Sequence, residues 1–386
     1  MKTTDTMKWL IVACFASMLG SAACAQSSEV AIGVSMPLTG PFAASGNYVL
    51  SGAKIAAEEI NADGGLLGKK VRLVVEDNKS NPTESAAVAE KLISRDKVQV
   101  LMGAWGSTLT LAALPVIMEH KVPMLVETSG ANKITESGNP YVFRIAAPAY
   151  LEAEGLKKKL DIFKIQKADF LIINNDWGRS TAADFSKMFK ENGIQVGLVE
   201  VMDQAAQDMS AQISKIKASN SDTLIVTTAV EQLTLVLKQI KALNLGKQVI
   251  TTGGSQSPDQ LVAQAGAAAD GSIHLVFFSP WTPEKTAHPE LSKAFMDAWS
   301  SRGLAPAGLT ESFRGYDGIK VIATAIRKAG SADSEAIRQA MWNVAVPGLN
   351  GTVSFKQAGP AGKESGQSIP QIYFVKIDGG KIKLID

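Results

Sequence analysis

Residues 30–76 read VAIGVSMPLTGPFAASGNYVLSGAKIAAEEINADGGLLGKKVRLVVE, and this stretch decides the fold class. It opens on VAIGV (30–34), an apolar, β-branched run of strand length. Gly52, Ala56 and Ile60 then recur every four residues, so they share one face of a helix, and Gly52 in that row lets the helix approach the sheet closely. NADGG (61–65) carries the chemistry that stops a helix, and VRLVVE (71–76) is the next strand. Two strands joined through a helix lie side by side in parallel.

The same rhythm continues along the chain. A helix is expected at 83–94, a strand at 98–102, a helix at 108–119 and a strand at 123–126. After Arg144 it starts again, with strands at 170–174, 195–201, 223–227, 249–252 and 274–278 separated by helices. A helical region at 306–329 and a short helix at 334–342 lead into a tail of strands at 352–355, 371–376 and 381–385. Asp378-Gly379-Gly380 marks a hairpin turn between the last two. The fold class is therefore α/β, with two Rossmann-like lobes, and open sheets of this kind bind ligands at the carboxyl ends of their strands.

The composition is that of an ordinary globular protein: 386 residues, 46% apolar, 20% charged and a net charge of +2. That length allows two or three domains, and so small a charge provides no basic face for nucleic acid. Both cysteines, Cys14 and Cys24, lie near the start. Lys2 and Lys8 precede an apolar stretch (9–19) and then small residues ending Ala23-Cys24-Ala25, so residues 1–25 are expected to be a signal peptide. Acylation of Cys24 is the weaker reading, because Ser21 stands where a larger aliphatic residue is usual. Removing the segment takes Lys2, Lys8 and Asp5, which moves the net charge from +2 to +1 and leaves no thiol. The expected product is a periplasmic, monomeric protein with no later apolar run long enough to cross a membrane.

Catalytic patterns are missing. No two glycines are separated by one residue, which excludes dinucleotide and kinase-type glycine loops. The pairs Gly193/Gly197 and Gly362/Gly366 enclose Gln195 and Glu364 where a nucleophile elbow needs serine. His120, His274 and His288 stand alone, so no metal site is expected. Glu58-Glu59 reads as a solvated helix face and Glu76-Asp77 as a cap or turn. No cofactor and no enzymatic activity are expected.

The chain offers instead polar, glycine-bearing loops at strand ends. GAWGS (103–107) precedes a helix expected from Thr108, whose unpaired amides suit a carboxylate resting on Ser107 and Thr108; the competing reading makes Ser107 a helix cap. ETSG (127–130), NNDWG (174–178), TTAVE (227–231) and TGGS (252–255) occupy the other strand ends. Trp105 and Trp177, one in each lobe, read as walls of a cleft.

The segments MPLTGPFAASGNYVLSGAKIAAEEINADGG, VLMGAWGSTLTLAALPVIMEHKVPMLVETSGA, NPYVFRIAAP, NNDWG, RGYDGIKVIATAIRKAGSAD and GLNGTVSF together resemble the periplasmic substrate-binding proteins of branched-chain amino acid ABC transporters. The resemblance implies a type I periplasmic binding protein with three crossings between lobes, near 144–147, 277–280 and 346–348. Lobe 1 would then comprise 26–145 and 279–347, and lobe 2 would comprise 146–278 and 348–386. It also implies an amino-acid or small-carboxylate ligand, hinge closure and delivery to an inner-membrane ABC permease; ligand sensing for a receptor or regulator is the other use of such a cleft.

The ligand-binding positions it implies fall on Trp105, Ser107, Thr128, Ser129 and Gly130, with Trp177 as an aromatic cover where tyrosine is usual. Thr228, Glu231 and Gly253 follow on the second lobe, and Ser45 stands where a first-lobe aromatic is frequent. Ser80 and Gly106 replace a cysteine pair that some relatives carry. The acidic residue that receives the α-amino group in amino-acid binders aligns near Gly253, so no carboxylate stands there. Either Glu231, Asp176 or Glu127 substitutes, or the ligand has no amine, and the two tryptophans would suit an aromatic carboxylate.

Overall fold

The computed structural model describes residues 29–254 and 256–386, so the expected signal segment with Cys14 and Cys24 lies outside them. Five strands of the N-terminal half, β1 (Glu29–Met36), β2 (Lys70–Asp77), β3 (Leu101–Gly103), β4 (Met124–Val126) and β5 (Val142–Arg144), pair in parallel. Five more, β6 (Lys167–Ile173), β7 (Gln195–Met202), β8 (Thr223–Thr227), β9 (Gln248–Thr251) and β10 (Ile273–Val276), repeat the pattern in a second sheet. Thr223–Thr227 is buried at every position, because helices cover both faces of a parallel sheet.

The tail departs from expectation. It adds β11 (Val346–Gly348), β12 (Gly351–Val353), β13 (Lys356–Ala358), β14 (Ser365–Gln367), β15 (Tyr373–Asp378) and β16 (Lys381–Ile385). The first sheet runs β13-β14-β5-β4-β3-β1-β2 and the second β16-β15-β10-β9-β8-β6-β7. Residues 348–386 are thus divided between the lobes rather than belonging to the second, and 346–348 is one arm of the β11–β12 hairpin rather than a crossing. The chain passes to the second sheet only between Gln367 and Tyr373. The physical reason is pairing: Gly366 and Gln367 bond in parallel to Phe143 and Arg144, extending a sheet whose β5 edge would otherwise stay open.

Asn350 ties this last passage to another crossing. Its Nδ2 donates to Phe277 O and, at 2.9 Å, to Gln371 O, and its Oδ1 accepts from Gln371 N at 2.7 Å. Asp317 takes the Leu349 N–H at 2.9 Å beside it.

Helix Ala43–Ala62 packs along helix Leu309–Ala329, not only on the sheet. A Cβ at Gly52 would lie 1.9 Å from Ser312 O, and one at Gly315 would lie 1.9 Å from Val49 O. The close approach that Gly52 permits is therefore to another helix. Among the described residues no helix is long and apolar enough to cross a membrane.

Candidate functional site

β3 ends at Gly103, and the chain turns through Trp105, held at φ +69°, into helix Ser107–His120. Two neighbours hold that turn. Trp105 N donates to Glu127 Oε1 at 3.1 Å, and Ser129 Oγ, itself 2.7 Å from Thr110 Oγ1, donates to Trp105 O at 2.8 Å. The helix begins one residue earlier than expected, with Gly106 as its cap, so Ser107 is not a capping residue. Its Oγ accepts instead from Ala131 N at 3.1 Å, which leaves the hydroxyl proton for a ligand. The first intrahelical bond runs from Thr110 N to Gly106 O, so the Ser107, Thr108 and Leu109 amides precede the ladder.

The next loop, 127–131, is shaped by Arg144, a fully buried guanidinium on β5 that donates to Ser129 O, Ala131 O and Gln367 Oε1. Thr128 Oγ1 is buried there without a well-formed partner. Gly130 is closely packed: a Cβ would lie 3.2 Å from Ala147 O and 3.5 Å from Trp177 Cδ1.

The second lobe supplies the opposite wall. Asn175 caps helix Asp176–Glu191 by accepting from Gly178 N, which fixes the start of the helix that carries Trp177. Gly253, at φ +89°, lies so close to the indole that a Cβ would be 1.9 Å from Trp177 Cζ2. The expectation that no carboxylate stands near Gly253 is corrected here. Glu152, on helix Ala149–Lys157, accepts from Gly253 N at 2.6 Å, while Trp177 leaves no room for a side chain at 253 itself. Burial pushes the Glu152 carboxyl up to about 8 and that of Glu127 up to about 7.

These groups line one pocket, bounded by Phe42, Trp105, Gly106, Ser107, Thr128, Ser129, Gly130, Glu152, Asn175, Trp177 and Gly253. Seven of the ten expected ligand-binding residues therefore meet in one place. Ser45 does not, because its N and Oγ are turned to Glu231 Oε1, at 3.4 Å each. Glu231 lines a separate groove, on the other side of Phe42, and Thr228 is buried against Gln232 at 2.7 Å. The first-lobe aromatic is Phe42, three residues before Ser45, its ring 5.0 Å from that of Trp105. Of the acids considered as substitutes, Asp176 accepts from Thr108 Oγ1 at 2.8 Å and Glu127 sits behind Trp105. Phe42 and Glu152 escaped the reading of the sequence, and Asn175 entered it only as part of the NNDWG loop. Glu152 had no signal to find it by, since it lies inside a helix rather than at a strand end. Among the described residues no group of three His, Cys, Asp or Glu is placed to hold a metal.

Hydrogen bonds also cross the cleft: Thr108 to Asp176, Asn132 N to Ser180 Oγ at 3.2 Å and Asn132 Nδ2 to Asp184 Oδ2 at 2.7 Å. The lobes are closed on the cavity. The family described as periplasmic binding protein matches residues 29–381. The chain belongs to that family. A leucine-, isoleucine-, valine-, threonine- and alanine-binding protein of Pseudomonas aeruginosa is 26% identical over 86% of this chain and 87% of its own. A leucine-binding protein of Thermotoga maritima superposes with TM-score 0.81 at 26% identity, covering 92% of this chain and 98% of that one. A solute-binding protein of an ABC transporter from R. palustris, solved with benzoate, shares the fold at TM-score 0.81 and 19% identity, over 92% and 95% of the two chains. The two lobes are those of a type I periplasmic binding protein, and the relatives are solute-binding proteins rather than enzymes.

Proposed function

We propose that this protein is the solute-binding component of an ABC importer, taking a small carboxylate-bearing solute in the periplasm by hinge closure and handing it to an inner-membrane permease. The observation that carries the reading is the pocket between the lobes in which a helix N-terminus, the Ser107 hydroxyl and the buried Thr128 hydroxyl face aromatic walls. Unpaired amides and the positive end of the helix dipole stabilise an anion, and Ser107 and Thr128 add two donors. Phe42, Trp105 and Trp177 then cover an apolar side chain or ring. Ser129 shapes the site, because both of its bonds are spent on Trp105 and Thr110.

A thermal-shift panel of L-amino acids with aliphatic and aromatic monocarboxylates tests this. A ligand held at a hundred times its Kd should stabilise the protein by about 2.7 kcal/mol, while its methyl ester should not. A panel in which esters work as well as acids, or in which no carboxylate raises the melting temperature, refutes the reading.

A further inference from the structure

Helix Ala43–Ala62, on the first lobe, starts without a cap of its own. Phe42 stands at the capping position with no side-chain bond, and the first turn carries no acid. Three other helices are capped by the residue just before them, Asn81, Asn175 and Asp333. The ladder of the uncapped helix begins with Gly46 N to Phe42 O, and Ala43 N donates to Gly40 O. That leaves the Ala44 and Ser45 amides at the positive end of a 20-residue helix. Both meet Glu231 of the second lobe: Ser45 N and Oγ lie 3.4 Å from its Oε1, and the Ala44 amide bonds to the same carboxyl.

Glu231 also stands in the first turn of its own helix, Val230–Ala242, whose capping residue Ala229 makes no side-chain bond and whose ladder starts with Leu233 N to Ala229 O. Its carboxyl bonds its own amide as well. One carboxyl therefore lies between two helix N-termini, one on each lobe. Two positive helix ends brought together by closure repel each other, and a negative charge between them turns that repulsion into attraction. Burial raises the carboxyl while the amides of both helices lower it. The helix end it holds follows directly on Phe42, whose ring walls the solute pocket.

We propose that Glu231 is a positioning residue that caps helix Ala43–Ala62 from across the cleft and so holds the lobes closed over a bound solute. The inference rests on the solute-binding reading above and names a contact that sets how long the closed form lasts. When the lobes separate, the first helix loses its cap and Glu231 keeps only its own helix end.

Glu231→Asp divides the two duties. The shorter side chain still serves the first turn of its own helix, but one methylene less takes it out of reach of amides already 3.4 Å away. Stopped-flow tryptophan fluorescence, with Trp105 and Trp177 in the pocket walls as reporters, follows binding and release of L-leucine, L-phenylalanine and benzoate. The expected result is release about three- to tenfold faster from the variant, with the association rate unchanged. The ligand-free melting temperature should also stay the same, which a merely structural role would not allow. Glu231→Gln, which keeps the reach but not the charge, should speed release too and supplies the same readout if the first variant does not fold. Release as slow as from the unaltered protein overturns the assignment, as does faster release that comes with a lower ligand-free melting temperature. If the unaltered protein binds a probe and the variants release it no faster, the solute-binding reading survives and the cap alone is wrongly assigned; if no probe binds and the wider carboxylate panel is silent, both fall together.

Discussion

At the scale of single residues the cavity is a set of trade-offs over space. Trp177 lies where a side chain at 253 would go, so the loop keeps glycine, and the acid beside it is Glu152, on another helix. On the first lobe, the Ser107 oxygen accepts from Ala131 N and keeps its proton for a ligand. Ser107→Ala is expected to weaken binding of a carboxylate ligand by more than about tenfold, since hydrogen bonds to charged groups contribute roughly 1.5–3 kcal/mol. Calorimetry well below the melting temperature checks this; unchanged affinity would leave the hydroxyl with no role beyond holding the Ala131 amide. Trp105, Ser107, Gly130 and Trp177 were legible in the sequence because strand-end loops announce themselves through glycine, hydroxyl and aromatic residues. Ser45 comes from the resemblance alone, and the structure turns it to Glu231, while the aromatic that lines the pocket is Phe42, three residues earlier. Glu152 and Arg144 were illegible for a further reason: a charged residue in a helix or strand reads as solvated until its surroundings are known.

At the scale of elements, the row Gly52, Ala56, Ile60 forecast a close approach but not its partner. The helix against it begins at Leu309, far along the chain, and periodicity carries no information about which distant face is complementary. Gly52→Ala forces the methyl against Ser312 O, so the two helices must separate. The expected loss is about 1–3 kcal/mol, as for overpacked cores, read from denaturant midpoints against Lys54→Ala on the exposed face of the same helix. Equal midpoints for the two variants would show that the helix pair yields freely. The strands β13 and β14 went unread for a related cause: three-residue strands in a polar, glycine-bearing tail have too little pattern to distinguish them from loop.

At the scale of the whole molecule, three sealed carboxyls dominate the response to pH, opposed below about pH 6.5 by the buried His274, which burial pushes down to about 3. Burial raises Glu127 and Asp317 to about 7 and Glu152 to about 8. A carboxyl raised in this way binds its proton more tightly in the folded state. Its stabilisation is complete below the unfolded value near 4.5 and is lost as pH climbs through the folded one. The ligand-free protein should therefore melt at progressively lower temperature between about pH 5 and pH 8, and Glu152→Gln should flatten the upper part of that slope. A melting temperature that rises over the same interval would mean that these groups are ionised in the fold. The division of the tail between the two sheets has a kinetic side. Phe143 waits for Gly366 and Ile273 for Lys376, so each sheet closes only over very long loops, whose entropy is lost before any pairing is gained. Neither sheet gains its last edge strands until the C-terminal segment has been made.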